Sequence, residues 1–237
     1  MAVEVSKSQS QLSRIFKQWR RNRRAVVGAF ILMMIIFMAI FAPFVTRYEP
    51  QKQNMRNRLQ PPSAEHIFGT DQFGRDTYSR VVYGARLSLQ VGFFSIGMAL
   101  LIGCTLGLVA GYYGGVIDNV IMRVVDVLMA LPGFLLALSI VAALGPGLQN
   151  VVLAIGVSYI PSFARMMRSA VISTRELDYV DAARSLGAKD RRIILTHVLP
   201  NSISPIIVLT TLSMAGAILS AAGLSFLGMG AQPPTAE

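Results

Sequence analysis

The sequence predicts an all-α, polytopic membrane protein that crosses a bilayer about five times, and three observations carry that prediction. Charge is confined to short stretches, leaving Ala25 to Thr46, Leu87 to Ile117, Val127 to Ala164 and Val198 to Ala236 without Asp, Glu, Lys or Arg. The basic residues behind the formal net charge of +10 flank these windows instead of forming a face on a soluble domain. That placement is one of membrane orientation and argues against a nucleic-acid partner. Inside the windows, glycine and other small residues recur at four-residue spacing, a pattern that lets helices pack closely in lipid.

A hydrocarbon core of roughly 30 Å takes about 20 apolar residues per helix, so the first, second and fourth windows hold one span each and the third holds two. Residues 1–24 form a basic segment in which seven cations, among them Lys17, Arg20, Arg21, Arg23 and Arg24, place the N-terminus in the cytoplasm. A basic head before an apolar run also resembles a signal peptide. The 22-residue run exceeds the usual apolar region of one, however, and no small-residue cleavage site follows it. The first span, residues 25–46, is rich in Ile, Met and Phe and is expected to face lipid. Residues 47–86 form an extracytoplasmic segment with the loop signal Pro61-Pro62. Its seven cations are an unusual load for a translocated stretch, offset by Glu49, Glu65, Asp71 and Asp76.

The membrane core, residues 87–237, opens with a span from about Leu87 in which Gly103, Gly107 and Gly111 give one helical stripe no side chains, predicting a packing face. Cys104, the single cysteine, excludes an intrachain disulfide and reads as a packed thiol. Gly114-Gly115 ends this span, Asp118 to Arg123 form a short cytoplasmic turn, and Asp126 is expected to pair with Arg123 three positions earlier. Leu131-Pro132-Gly133 interrupts the third span near its start, as a packed kink or as a break exposing carbonyls to a pathway. Gly145-Pro146-Gly147 makes an extracytoplasmic turn. The fourth span runs from about Val151 to Ala164 with Pro161 bending its end, and Arg165 and Arg168 mark its arrival at the cytoplasm. In the fifth, Ile203 to Gly228, the residues Ser213, Ala217, Ala221 and Ser225 repeat at four-residue spacing as a face that either packs or lines a pathway.

The loop between the last two spans, residues 165–200, carries the clearest functional signal. Its seven Lys or Arg residues agree with the cytoplasmic side, as does the parity of four crossings from an inside N-terminus. Within it, Asp178 to Gly187 reads as a short helix. Asp178 serves as the N-cap, Asp181 lies where the dipole favours an anion, and Gly187 takes the left-handed conformation that ends a helix. Its alanine shoulder and charged rims suit insertion into a groove on another protein. Leu199-Pro200 is expected to stop the following apolar segment where the fifth span begins.

From Asp181 to Pro200 the chain resembles the EAA loop of ABC-importer permeases, with Asp181 at the acidic position, Ala182 and Ala183 as the alanines, Gly187 as the glycine and Leu199-Pro200 as the close. His197 stands where that family has an aliphatic residue. Phe68-Gly69-Thr70-Asp71, Gly74-Arg75-Asp76, Ser79-Arg80 and Gly84-Ala85-Arg86 are similar to the segment before the second span of dipeptide and oligopeptide permeases. Ser225 to Pro234 is similar to the end of their fifth span, and together these matches cover most of the chain from residue 15 onward.

The resemblance implies the ABC-importer permease fold, with a sixth span expected beyond Glu237, in a bacterial or archaeal cytoplasmic membrane. It implies one of two similar, non-identical permeases working with two cytoplasmic ATPases and an extracytoplasmic substrate-binding protein. The family's ATPase-coupling role falls on Tyr179, Asp181, Ala182, Ala183, Arg184, Gly187, Leu199 and Pro200. No cofactor is expected on this chain, ATP and Mg²⁺ belonging to the ATPases. The substrates implied are dipeptides or longer peptides, with glutathione or a nickel complex as alternatives.

Other function classes fit the residues less well. A stand-alone secondary transporter calls for paired charges or polar clusters at mid-membrane, and beyond Asp126 the spans offer none. For an enzyme, His66 and His197 are the only histidines. The sequence shows no G-x-x-x-x-G-K-S/T phosphate loop and no Ser/His/Asp or metal-ligand grouping.

Overall fold

The structure, a computed structural model, describes residues 22–230. The start of the basic segment and the Gln232-Pro233-Pro234 end of the last matched motif lie outside the described residues. The chain divides into two compact units, Met1–Arg86 and Leu87–Glu237. The described residues are almost entirely helical. Four helices are long and apolar enough to cross a membrane, or up to five spans when one bent pair is counted as a single crossing.

In the first unit, α1 (Arg23–Ile40) begins at Asn22, whose side chain accepts from the Ala25 amide, and Ala39 is its one buried residue. Phe30, Met33 and Phe37 are all more than half exposed, the surface of a helix solvated by lipid. A single helical turn, α2 (Ala42–Val45), follows with Pro43 in its first turn, where a missing N–H costs nothing.

The segment that leads to α3 (Thr77–Tyr113) is organised by Asp71 and Asp76. Asp71 accepts from the Phe73 and Arg75 amides at 2.8 and 3.0 Å and from the Arg75 and Arg80 guanidiniums at 2.7 and 2.5 Å. Two of the seven cations in this stretch are therefore paired locally with one carboxylate, which offsets one unit of its positive charge. Asp76 caps α3 by accepting from the Ser79 amide and hydroxyl at 2.8 and 2.7 Å, and its other oxygen lies 2.9 Å from His66 Nδ1. Gly74, at φ +69°, presses its backbone on the Asn54 carbonyl, leaving no room for a Cβ. These contacts account for the Gly-Thr-Asp and Gly-Arg-Asp motifs.

Burial opposes ionisation of Asp71, but the amides of Arg75 and Phe73 and the two guanidiniums outweigh it and hold the carboxyl at about 2. An unfolded Asp titrates near 4. The stabilisation is therefore complete above about pH 4 and is lost as pH falls through about 2. Asp71→Asn should speed amide hydrogen exchange across residues 71–80 severalfold at pH 5 relative to wild type, and the two proteins should converge toward pH 2. Equal protection at pH 5 would contradict the assignment.

The helix α3 starts at Thr77, ten residues before the expected Leu87. The apolar window marks the bilayer and not the helix. At about 1.5 Å per residue the 37 residues reach about 55 Å, well past a core of roughly 30 Å. The expected turn from Asp118 to Arg123 is likewise helical, inside α4 (Gly115–Met129), because Gly114 and Gly115 at φ +67° and +56° complete the reversal between the helices themselves. The expected break at Leu131-Pro132-Gly133 is present, as α4 and α5 (Gly133–Leu144) are bent by 82°.

Helix α6 (Leu148–Arg175) runs on past Ala164 to Arg175, so the first third of the expected loop is helix. Pro161 is buried within it. It removes one amide but leaves the rod continuous because neighbouring helices hold it. The core of the second unit centres on this helix, where Val151, Ala154, Ile155, Phe163, Ala164, Met167 and Val171 are buried. Two short helices, α7 (Asp178–Ser185) and α8 (Asp190–Ile193), lead into a π-helical turn, Ile194–Val198, and then α9 (Leu199–Phe226).

Leu199-Pro200 therefore does not stop a segment but lies within one, since residues 190–226 form a single rod. Pro200 has no amide to offer the preceding turn, and the Leu199 amide reaches back to the Ile194 carbonyl, the i→i−5 bond of a widened turn.

Candidate functional site

The loop joining α6 to α9 is held from beneath and open above. Val180, Ile193 and Val198 are fully buried in the core of the unit, and Ala183, Ala188, Ile194 and Leu199 pack against it. On the outer side Leu186 is 89% exposed, Leu177 and Tyr179 are also exposed, and Asp181, Ala182 and Arg184 face outward with them. An Arg184–Asp181 pair at 3.2 Å rims the helix one turn apart. The result is a short helix presenting an apolar ridge with a charged rim.

Helix α7 starts one residue earlier than expected. Leu177 is the N-cap, without a side-chain bond, and Asp178 is the first helical residue. As an anion in the first turn it still complements the dipole. The far end is closed by Gly187 at φ +79°, with Gly187 N–H donating to Arg184 O at 3.0 Å and Ala188 N–H to Ala183 O at 3.1 Å. This is the Schellman arrangement, and it needs the left-handed residue. His197 rests beside Tyr179, ring centroids 6.1 Å apart, so the position that departs from the family pattern makes an aromatic contact.

The glycine stripe meets α6 directly. A Cβ on Gly103 would lie 2.7 Å from the Ile160 carbonyl and the Phe163 Cβ, one on Gly107 would run into the Ala164 carbonyl, and one on Gly111 would lie 2.9 Å from the Arg168 carbonyl. Ser213, Ala217 and Ala221 are buried within this chain and Ser225 is partly buried. Gly216 and Gly223 beside them face Tyr159 of α6 and Phe134 of α5. The small face of α9 is thus an internal packing face. Cys104 is half-buried in an apolar groove of about 500 Å³ bordered by α3, α6 and α9, with Thr105, Thr210 and Thr211 at its edge.

Polar links stitch the helices together near this loop. Arg168 forks onto Asp118 with two bonds of 2.5 Å, fastening α6 to α4. Asp126 pairs with Arg165 at 2.6 Å and not with Arg123 as expected, because α6 brings a guanidinium to it from outside its own helix. Arg175 donates to the Gly111 and Tyr112 carbonyls at 2.7 and 3.2 Å, and the Tyr112 hydroxyl donates to Asp190 at 2.8 Å. Tyr112, Asp118, Arg175 and Asp190 escaped the sequence reading, since their partners lie 50 to 78 positions away. The one signal available was the position of Tyr112 and Asp118 at the end of an apolar window.

The described residues thus form a multi-pass helical core with a helix-bearing loop between its last two long helices, and comparison with known proteins gives the class of protein to which such a core belongs. Residues 103–237 match the family described as binding-protein-dependent transport system inner membrane component, and residues 10–62 match the N-terminal TM domain of oligopeptide transport permease C. The chain belongs to this family of inner-membrane permeases. It is 55% identical over 222 residues to the dipeptide transport system permease protein DppC of Alkalihalophilus pseudofirmus, covering 94% of this chain and 73% of that one. It is 44% identical to the di/tripeptide transport system permease protein DppC of Pseudomonas aeruginosa, covering 96% and 77%. It is also 44% identical to the glutathione transport system permease protein GsiD of Pectobacterium atrosepticum, covering 92% and 74%. Among solved structures, the MetNI methionine ABC transporter in an inward-facing conformation shares the fold, with a TM-score of 0.55 at 21% identity over 64% of this chain and 76% of that one.

Proposed function

We propose that this chain is the peptide-carrying permease subunit of an ATP-driven ABC importer, forming the translocation pathway with a second, homologous permease. The observation that carries the reading is the open ridge of α7 on a loop whose ends are α6 and α9 themselves. A partner that moves this ridge acts on two membrane helices through short connections, residues 176–177 on one side and 186–189 on the other.

In this reading two cytoplasmic ATPases receive α7 in a groove, ATP and Mg²⁺ reside on those subunits, and this chain performs no catalysis. The N-terminus and the loop face the cytoplasm. An extracytoplasmic binding protein delivers substrate to the other side. Closure of the ATPases rocks α6 and α9 against the partner permease in an alternating-access cycle. The relatives named for dipeptide and di/tripeptide transport support a short peptide as cargo, and those named for glutathione support a second reading in which the cargo is that γ-linked tripeptide.

The test is reconstitution in liposomes of both permeases with ATPases and binding protein. Uptake of a radiolabelled dipeptide should require all components and ATP, and competition with unlabelled glutathione decides between the cargoes. Solute movement by this chain without the ATPases would overturn the assignment.

A further inference from the structure

We infer that Tyr112, Asp190 and Arg175 form a polar strap that makes α3 a third helix driven by the docking helix α7. The inference rests on the reading of α7 as the ATPase contact.

Helices α6 and α9 are joined to α7 through the chain. Helix α3 is not, and it reaches the loop only through side chains. Its last carbonyls have no partner within the helix and carry the negative end of its dipole. Arg175, the final residue of α6 and three positions before α7, places its guanidinium on two of them, Gly111 O at 2.7 Å and Tyr112 O at 3.2 Å.

On the other side of α7, Asp190 opens α8 and accepts from the Tyr112 hydroxyl at 2.8 Å, and Tyr112 itself is 92% buried. The chain before α7 and the chain after it are therefore bonded to the same turn of α3. A shift of α7 must carry that turn along or break one of the bonds. Further up, Gly103 and Gly107 seat α3 on the α6 backbone, so the pull is passed along a rigid pair and not dissipated by sliding.

Tyr112→Phe removes one oxygen from this strap, Asp190→Ala removes its acceptor, and Asp190→Asn keeps an acceptor oxygen in place. The assembled transporter carrying each variant is placed in proteoliposomes, and peptide uptake, ATP hydrolysis and the amount of assembled complex are measured together. Tyr112→Phe and Asp190→Ala should each lower uptake per ATP hydrolysed by roughly tenfold, about the effect of one hydrogen bond to a charged group, with hydrolysis retained. Asp190→Asn should recover most of the loss, and the double variant Tyr112→Phe/Asp190→Ala should be no worse than either single one, as for two halves of one contact.

Unchanged uptake per ATP in both single variants overturns the strap. So does a parallel fall of uptake and hydrolysis that follows the amount of assembled complex, because that is the signature of a structural role alone. Wild-type hydrolysis that never couples to uptake instead sinks the docking assignment, and the strap with it.

Discussion

Gly107→Val should remove most of the folded protein. A Cβ at this position runs into the Ala164 carbonyl and lies 2.9 Å from both the Arg168 amide and the Met167 Cβ. Two of these neighbours are backbone atoms of α6, so no rotamer change gives relief and the helices themselves must separate. Separation exposes the surfaces of Phe163 and Met167, now fully buried, and pulls Arg175 away from the end of α3. Overpacking against backbone in a dense core costs about 3 kcal/mol or more, a large fraction of what a membrane domain of this size holds in reserve. Thermal unfolding in detergent should show a strongly lowered midpoint and little monodisperse material. Gly97→Ala on the same helix, where nothing lies within 4 Å, is the matched control and should change little. A normal midpoint for Gly107→Val would mean that α3 and α6 do not cross this closely.

Gly187→Val should abolish uptake while leaving insertion and helix packing intact. Here space is not the obstacle, since nothing lies within 4 Å of the added Cβ. The obstacle is the backbone at φ +79°, a conformation costing an ordinary residue about 1–2 kcal/mol and a β-branched one more. Relaxing that strain opens the Schellman bonds from Gly187 and Ala188 and swings the exposed Leu186 ridge out of position. Because Val180 is the one fully buried residue of α7, with Ala183 packed beside it, the core beneath has little to lose. Uptake should fall at least tenfold with normal amounts of permease in the membrane. Gly187→Asn, which tolerates the left-handed region, should retain most activity. Wild-type uptake in the valine variant would remove the docking role from this end of α7.

The number and order of spans were legible in the sequence because the cost of burying charge in lipid leaves uninterrupted windows. So was the glycine stripe at Gly103, Gly107 and Gly111, since a four-residue period places three bare positions on one helix face. Helix ends were less legible. Thr77 and Arg175 lie in polar stretches where hydrogen bonding, not hydropathy, decides how far a helix runs, and Asp76 and Gly114 set the limits of α3 through capping and positive φ. Partnership was the least legible of all. Arg123 is near Asp126 in sequence, but only the antiparallel passage of α6 brings Arg165 to it. The docking helix showed through because its signals, an acidic first turn and a closing glycine, are local. The strap did not, because it joins residues 78 positions apart.

The widened turn at Ile194–Val198 has a consequence for how the loop and the last span are combined. Ile193 and Val198 are both fully buried, although residues five apart on a regular α-helix point about 140° away from each other. The π turn absorbs one extra residue and so changes the rotational phase between α8 and α9, turning both side chains inward. The chain length between Asp190 and Pro200 is therefore a specified quantity. Shortening it by one residue would restore a regular helix and rotate the whole final span relative to the anchored loop, repointing its small face without altering any residue on it.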